Sequence, residues 1–140
     1  MASISSRVET LINEFQGIDS WEDKYKYIIT KGKELDNLSD GYKEDKFLVK
    51  GCQSKVWFHA EIRDGVVYFQ GDSDASIVRG IVALLLYVYS GSTPDEILAT
   101  KPTFLEDIGL REHLSMSRSN GLSAMLKQIS LYAIAFKSQM

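Results

Sequence analysis

The most restrictive feature of this chain is a change of hydrophobic period near its middle. From Ser54 to Ile62, the apolar Val56, Phe58, Ala60 and Ile62 alternate with Lys55, Trp57, His59 and Glu61. A repeat of two places the first set on one face of an extended strand. Asp64-Gly65 follows as a tight turn of the hairpin kind, and Val66 to Gln70 reads as the returning strand. A short strand around Phe47 to Val49 is expected to join them, giving a small antiparallel sheet of about three strands.

On either side the period is that of a helix. Val8, Leu11, Ile12 and Phe15 recur at i, i+3, i+4 and i+7, which lines them along one helical face. Ser6 with Glu9 has the form of a capping box at the start of this helix, and Gly17 that of its stop. A second helix is predicted from about Ser20 to Lys31, with Trp21, Tyr25, Ile28 and Ile29 on one face and Gly32 ending it. The charged stretch from Lys33 to Lys46 reads as a surface loop pinned by Leu35, Leu38 and Tyr42.

After Gly71, Asp72-Ser73-Asp74 supplies side chains suited to capping a helix. That helix, Ala75 to Ser90, is apolar nearly all round its second half, which marks it as central and buried. Thr93-Pro94-Asp95-Glu96 opens another helix, and a short one covers Phe104 to Ile108. The last runs from about Ser117 to Ser138, its apolar face formed by Leu122, Met125, Leu126, Ile129, Ala133 and Phe136. Helices, then an antiparallel sheet, then helices make an α+β domain spanning residues 1–140.

Charge and hydropathy narrow the partners. A formal net charge of −3 does not provide the basic field that phosphate backbones demand, so no nucleic-acid role is expected. The longest apolar run, Ile81 to Tyr89, is nine residues, against the roughly 20 of a spanning helix. The opening MASISSRVETLINEF has no signal-peptide core, so a cytoplasmic location away from membranes is expected.

The chain has one cysteine, Cys52. A single thiol closes no internal disulfide and cannot supply the four thiolates that commonly hold zinc or an iron–sulfur cluster. With only His59 and His113 as imidazoles, no Cys/His metal spacing exists, and neither a metal nor a cofactor is expected. A lone cysteine is ordinarily an inert, buried small hydrophobe. Its flanks argue otherwise: in Lys50-Gly51-Cys52-Gln53-Ser54 every neighbour is polar or glycine, which suits a bent loop at a sheet edge.

Gly51-Cys52-Gln53-Ser54-Lys55-Val56-Trp57 resembles the GCQSxVW signature of the SufE family. Gln70-Gly71-Asp72-Ser73-Asp74-Ala75 is similar to that family's QGDSDA segment, and Ser117-Arg118-Ser119-Asn120-Gly121-Leu122 to its SRxxGL segment. Trp21-Glu22-Asp23-Lys24-Tyr25 and Thr93-Pro94 also resemble family segments, all in the same order along the chain. The resemblance implies a fold like that of the IscU-type scaffold. It further implies a sulfur acceptor that takes persulfide sulfur onto Cys52 from a PLP-dependent cysteine desulfurase of the SufS kind. Such an acceptor stimulates the desulfurase and passes sulfur to a SufBCD-type scaffold for iron–sulfur cluster assembly. The PLP belongs to the desulfurase. A related acceptor, the CsdE kind, serves another desulfurase, and these residues do not separate the two.

Sulfur transfer of this sort is thiol–disulfide exchange in form, so the acceptor thiol must ionise and be reachable. Arg118, a permanent cation, is the candidate stabiliser of the sulfur anion. Gly51, Gln53 and Ser54 form the supporting loop, and Asp72 and Asp74 are expected to fix it by capping the Ala75 helix. Cys52 is expected to rest partly sheltered against apolar residues and to move outward when the donor docks. His59 is read as facing solvent, Trp57 as packing, and Met116 and Met125 as filling gaps near or in the core. Two other functions fit the residues alone. A self-sufficient thiol enzyme requires a base near Cys52, and a binding domain would tolerate Cys52→Ser.

Overall fold

The computed structural model describes residues 3–139. Helices α1 (Ile4–Gln16) and α2 (Trp21–Glu34) precede the strands β1 (Val56–Arg63) and β2 (Val66–Ser73). Helices α3 (Ser76–Tyr89), α4 (Pro94–Ala99), α5 (Phe104–Asp107) and α6 (Met116–Ser138) follow. The strands pair antiparallel from Val56 opposite Ser73 to Arg63 opposite Val66. Asp64 and Gly65 both take positive φ, 53° and 78°, the conformation that matches a two-residue turn to the twist of its strands.

The sheet has two strands where three were expected. Asp45–Phe47 coils into a single 3-10 turn, and only Leu48 bridges to the sheet, opposite Trp57. Phe47 leaves the extended path to pack edge-on against Tyr42 and His59. His59 accordingly does not face open solvent. Its ring lies flat on Tyr42 with centroids 3.8 Å apart, so this aromatic cluster fastens the charged loop to the sheet.

Both N-terminal helices differ from the sequence reading at their ends. The first is capped by Ser3, whose hydroxyl accepts from the Ser6 amide, so Ser6 is a donor inside the helix and not its cap. The second does not stop at Gly32 but runs on to Glu34. Gly32 serves a crossing there: a Cβ on it would lie 2.7 Å from the Gly80 nitrogen of α3, and one on Gly80 would lie 2.2 Å from the Ile28 carbonyl oxygen. Two glycines let α2 and α3 meet backbone to backbone.

One apolar cluster unites these elements. Val56, Phe58 and Val67 of the sheet, Ile81, Val82 and Leu85 of α3, and Leu122, Met125 and Ile129 of α6 are all buried in it. Tyr132 of α6 donates to the Phe58 carbonyl oxygen at 3.1 Å, locking the last helix to β1. Thr93 and Glu96 form the anticipated capping box on α4. Met125 lies in the core, whereas Met116 is 81% exposed at the first turn of α6 and fills no gap.

Candidate functional site

Residues 50–55 form an excursion between the Leu48 bridge and β1, and their base is fixed by both backbone and side-chain hydrogen bonds. The Val49 amide donates to the Val56 carbonyl at 2.8 Å. On the far side, the Lys55 amide donates to Asp74 Oδ1 at 3.1 Å, while the Ser73 hydroxyl donates to the Lys55 carbonyl at 2.8 Å. Asp74 thus does fasten the loop, but directly. Neither Asp72 nor Asp74 caps α3: the cap residue is Ala75, which has no capping side chain, and its amide donates to the Ser73 hydroxyl at 3.3 Å.

Asp72 has a different task. Its carboxylate, 3% exposed, sits 3.2 Å from both Lys43 Nζ and Arg79 Nη1 and accepts from the Ser73 amide. Arg79 in turn donates to the carbonyls of Gly32 and Leu35. A buried carboxylate needs that pairing to offset its lost hydration. The result ties the end of β2 to the end of α2 and to the charged loop.

The tip is set by Gly51, whose φ of +95° lies in the left-handed region that glycine occupies without strain. The bend leans Cys52 toward α6, where its Sγ donates weakly to the Gly121 carbonyl oxygen at 3.5 Å. The approach does not depend on that glycine, since a Cβ at Gly121 would lie 3.6 Å from the sulfur, an ordinary contact. The thiol is half-buried and packs against the edge of the core.

It opens on a pocket of about 320 Å³. Val78 and Ile81 of α3 and Met125 of α6 make the apolar wall; Gln53, Ser54, Ser115, Ser117 and Arg118 supply the polar groups. Burial pushes the Cys52 thiol up from its ordinary pKa, with no opposing cation drawing it back. Burial thus favours the protonated thiol at rest, and the ionisation that sulfur capture requires is not prepared in this geometry.

The structure brings four of the residues singled out by sequence, Cys52, Gln53, Ser54 and Arg118, to one pocket and leaves Asp72 and Asp74 outside it. Gly51 shapes the loop without lining the cavity. Sequence reasoning gives no site role to Val78, Ile81, Ser115, Ser117, Gly121 or Met125, although Ser117 and Gly121 stand in the segment resembling SRxxGL and Met125 reads as a core residue. Their signal was helical spacing: Arg118, Gly121 and Met125 lie along one side of α6, as Val78 and Ile81 do on α3. Neither histidine is there, for His59 is stacked on Tyr42 and His113 on Trp21. Among the described residues, no three His, Cys, Asp or Glu side chains group where they could hold a metal ion. Among the same residues, no helix is long and apolar enough to cross a membrane.

A sequence profile described as "SufE: Fe-S metabolism associated domain" matches residues 9–133. The chain belongs to the SufE family. A SufE-like protein of Rhizobium etli, named as uncharacterized, is 41% identical over 127 residues, covering 87% of this chain and 86% of its own length. The solution structure of a hypothetical protein from Thermus thermophilus has a TM-score of 0.77 at 21% identity, covering 92% of this chain and 94% of that one. That likeness speaks to the fold alone. Membership of the SufE family associates the chain with iron–sulfur metabolism.

Proposed function

We propose that this SufE-family chain is a sulfur acceptor that carries persulfide on Cys52. The observation that supports it most is the placement of the chain's one thiol, on a glycine-bent loop whose base is bonded while its tip rests in an apolar-walled pocket. The donor is a PLP-dependent cysteine desulfurase of the SufS kind, or the counterpart served by a CsdE-like acceptor. The recipient is a SufBCD-type scaffold, and the reaction runs in the cytoplasm.

The transfer conserves sulfur oxidation level. The Cys52 thiolate attacks the outer sulfur of the donor's persulfide, a new S–S bond forms, the donor's S–S bond breaks, and the donor cysteine leaves as thiolate. The Cys52 proton goes to solvent or to a donor base beforehand. In the resting pocket the thiol is protonated and a poor nucleophile. Swinging residues 50–54 outward removes the burial that raises its pKa, so exposure and ionisation arrive together. On return, the pocket holds the extra sulfur, which extends the side chain by about 2 Å. Its apolar wall shields that sulfur from oxidants and reductants. Arg118 at the polar side supplies positive charge to the terminal sulfur anion. The thiol-enzyme alternative lacks a partner for Cys52, since among the described residues no imidazole or carboxylate lines the pocket.

The test is to incubate the protein with a SufS-type desulfurase, PLP and cysteine, and then weigh it intact. A gain of sulfur that reductant removes and Cys52→Ser abolishes is expected. No gain under conditions where the desulfurase turns over would overturn the reading.

A further inference from the structure

One helical turn along α6 from Gly121, a second depression of about 490 Å³ begins. Its apolar part is Leu48, Ala124 and Leu131, and its cations are Lys46, Lys50 and Lys127. No acidic side chain lines it among the described residues. Three ammonium groups around one groove are a local reversal of sign in a chain of net charge −3. Lys46 Nζ lies 3.9 Å from Glu44 and over the Phe47 ring, whereas Lys50 and Lys127 have no carboxylate partner among the described residues.

The helix beneath is unusual for a surface helix. Leu122, Met125, Ile129 and Ala133 face inward, yet Leu131 is 47% exposed and Ile134 53%. An outward helical face is normally polar. The groove also adjoins the site mechanically, because a Cβ at Gly51 would lie 3.3 Å from that of Ala124. Whatever occupies the groove rests against the bend that carries Cys52.

We propose that this groove docks an acidic segment of the sulfur donor, with an apolar side chain seated between Leu48 and Leu131 and carboxylates meeting Lys50 and Lys127. This rests on the sulfur-acceptor reading. The donor is favoured over other partners because the groove borders the loop that must meet the donor's persulfide. Contact beside Gly51 couples docking to release of Cys52 from its pocket.

The test uses full-length protein carrying Lys127→Glu, a residue that is exposed and lies outside both the Cys52 pocket and its loop. Sulfur loading from a SufS-type desulfurase is measured against desulfurase concentration and sodium chloride. The variant should need about tenfold more desulfurase for half-maximal loading, as rim charge reversals typically weaken encounter. Its rate should also depend less on salt. Loading from a small-molecule persulfide should match the wild type. Leu131→Ser, which keeps every charge, should raise the half-maximal concentration without altering the salt dependence. Unchanged concentration and salt dependence in both variants, with normal wild-type loading, overturns the groove and spares the acceptor reading. A wild type that never loads overturns both. Wild-type self-association that the same substitutions abolish makes the groove a contact between copies of this chain and overturns donor docking.

Discussion

Under the proposed carrier role Cys52 answers to two opposed demands, since a thiol that captures sulfur must ionise, while a persulfide that survives must be sheltered. The resting geometry serves the second. Because burial favours the protonated thiol, the folded-state pKa lies above the unfolded one. The stability linked to this group is therefore fully present below the unfolded thiol's pKa, about 8.5, and is lost as pH rises through the higher folded value. In the free protein, iodoacetamide labelling should be slower at neutral pH than for the same chain in denaturant. The pH at which its rate is half-maximal should also lie above that of the denatured chain. Equal rates and equal midpoints would contradict a sheltered thiol. Asp72 shows a similar logic at a structural residue. Asp72→Ala leaves Arg79 without its counter-charge at a partly buried position, and should cost about 3 kcal/mol. Urea unfolding measures it, and a loss under about 1 kcal/mol would show that the pairing contributes little beyond a surface salt bridge.

At the level of elements, the helix crossing is the least tolerant feature. Gly80→Ala improves helix propensity by up to about 1 kcal/mol, but its methyl would press on the Ile28 carbonyl at 2.2 Å. Separating two packed helices outweighs that gain, so a net loss of about 2 kcal/mol is expected, with a matching fall in melting temperature. A stabilised variant would show that α2 and α3 yield easily. This crossing also marks what the sequence hides. Amphipathic spacing discloses α2 and α3, because it reflects a face turned to the core. A glycine after a periodic run means a stop when judged locally, but the real role of Gly32 depends on Gly80, which lies 48 positions later. The strand expected at residues 47–49 fails for a related reason: Phe47 finds aromatic partners in Tyr42 and His59, and these outcompete extension. The Asp72 and Asp74 side chains have tertiary partners of the same hidden kind. The loop at Cys52 is legible because its glycine and polar flanks state their preference within five residues, whereas the wall formed by Val78, Ile81 and Met125 is indistinguishable from core.

At the scale of the whole molecule, the proposed function divides these pieces into a rigid part and a small movable one. The rigid part is the sheet, α3 and α6, fixed by the shared apolar cluster and by the Tyr132 bond to β1. The movable part is residues 50–54, whose tip is retained by a weak thiol bond and limited apolar contact, while strong bonds stop at Val49, Val56 and Lys55. Under the proposed function, that restraint is what allows the segment to leave its pocket without disturbing the fold. Cys52 should therefore be labelled faster in complex with a desulfurase lacking its own active-site cysteine than in the free chain, provided the probe is small enough to enter the interface. Exposed control positions such as Met116→Cys, placed in a Cys52→Ser background, should not gain and should lose rate if the partner covers them. Labelling of Cys52 that is faster in the free chain than in the complex would mean that docking buries the thiol further. Hydrogen exchange separates loop release from general loosening: the Lys55 amide, bonded to Asp74, should stay protected in the complex if only the tip swings out. Loss of that protection would instead make the whole strand entrance the moving unit, and the hinge would then lie within β1 and not at Gly51.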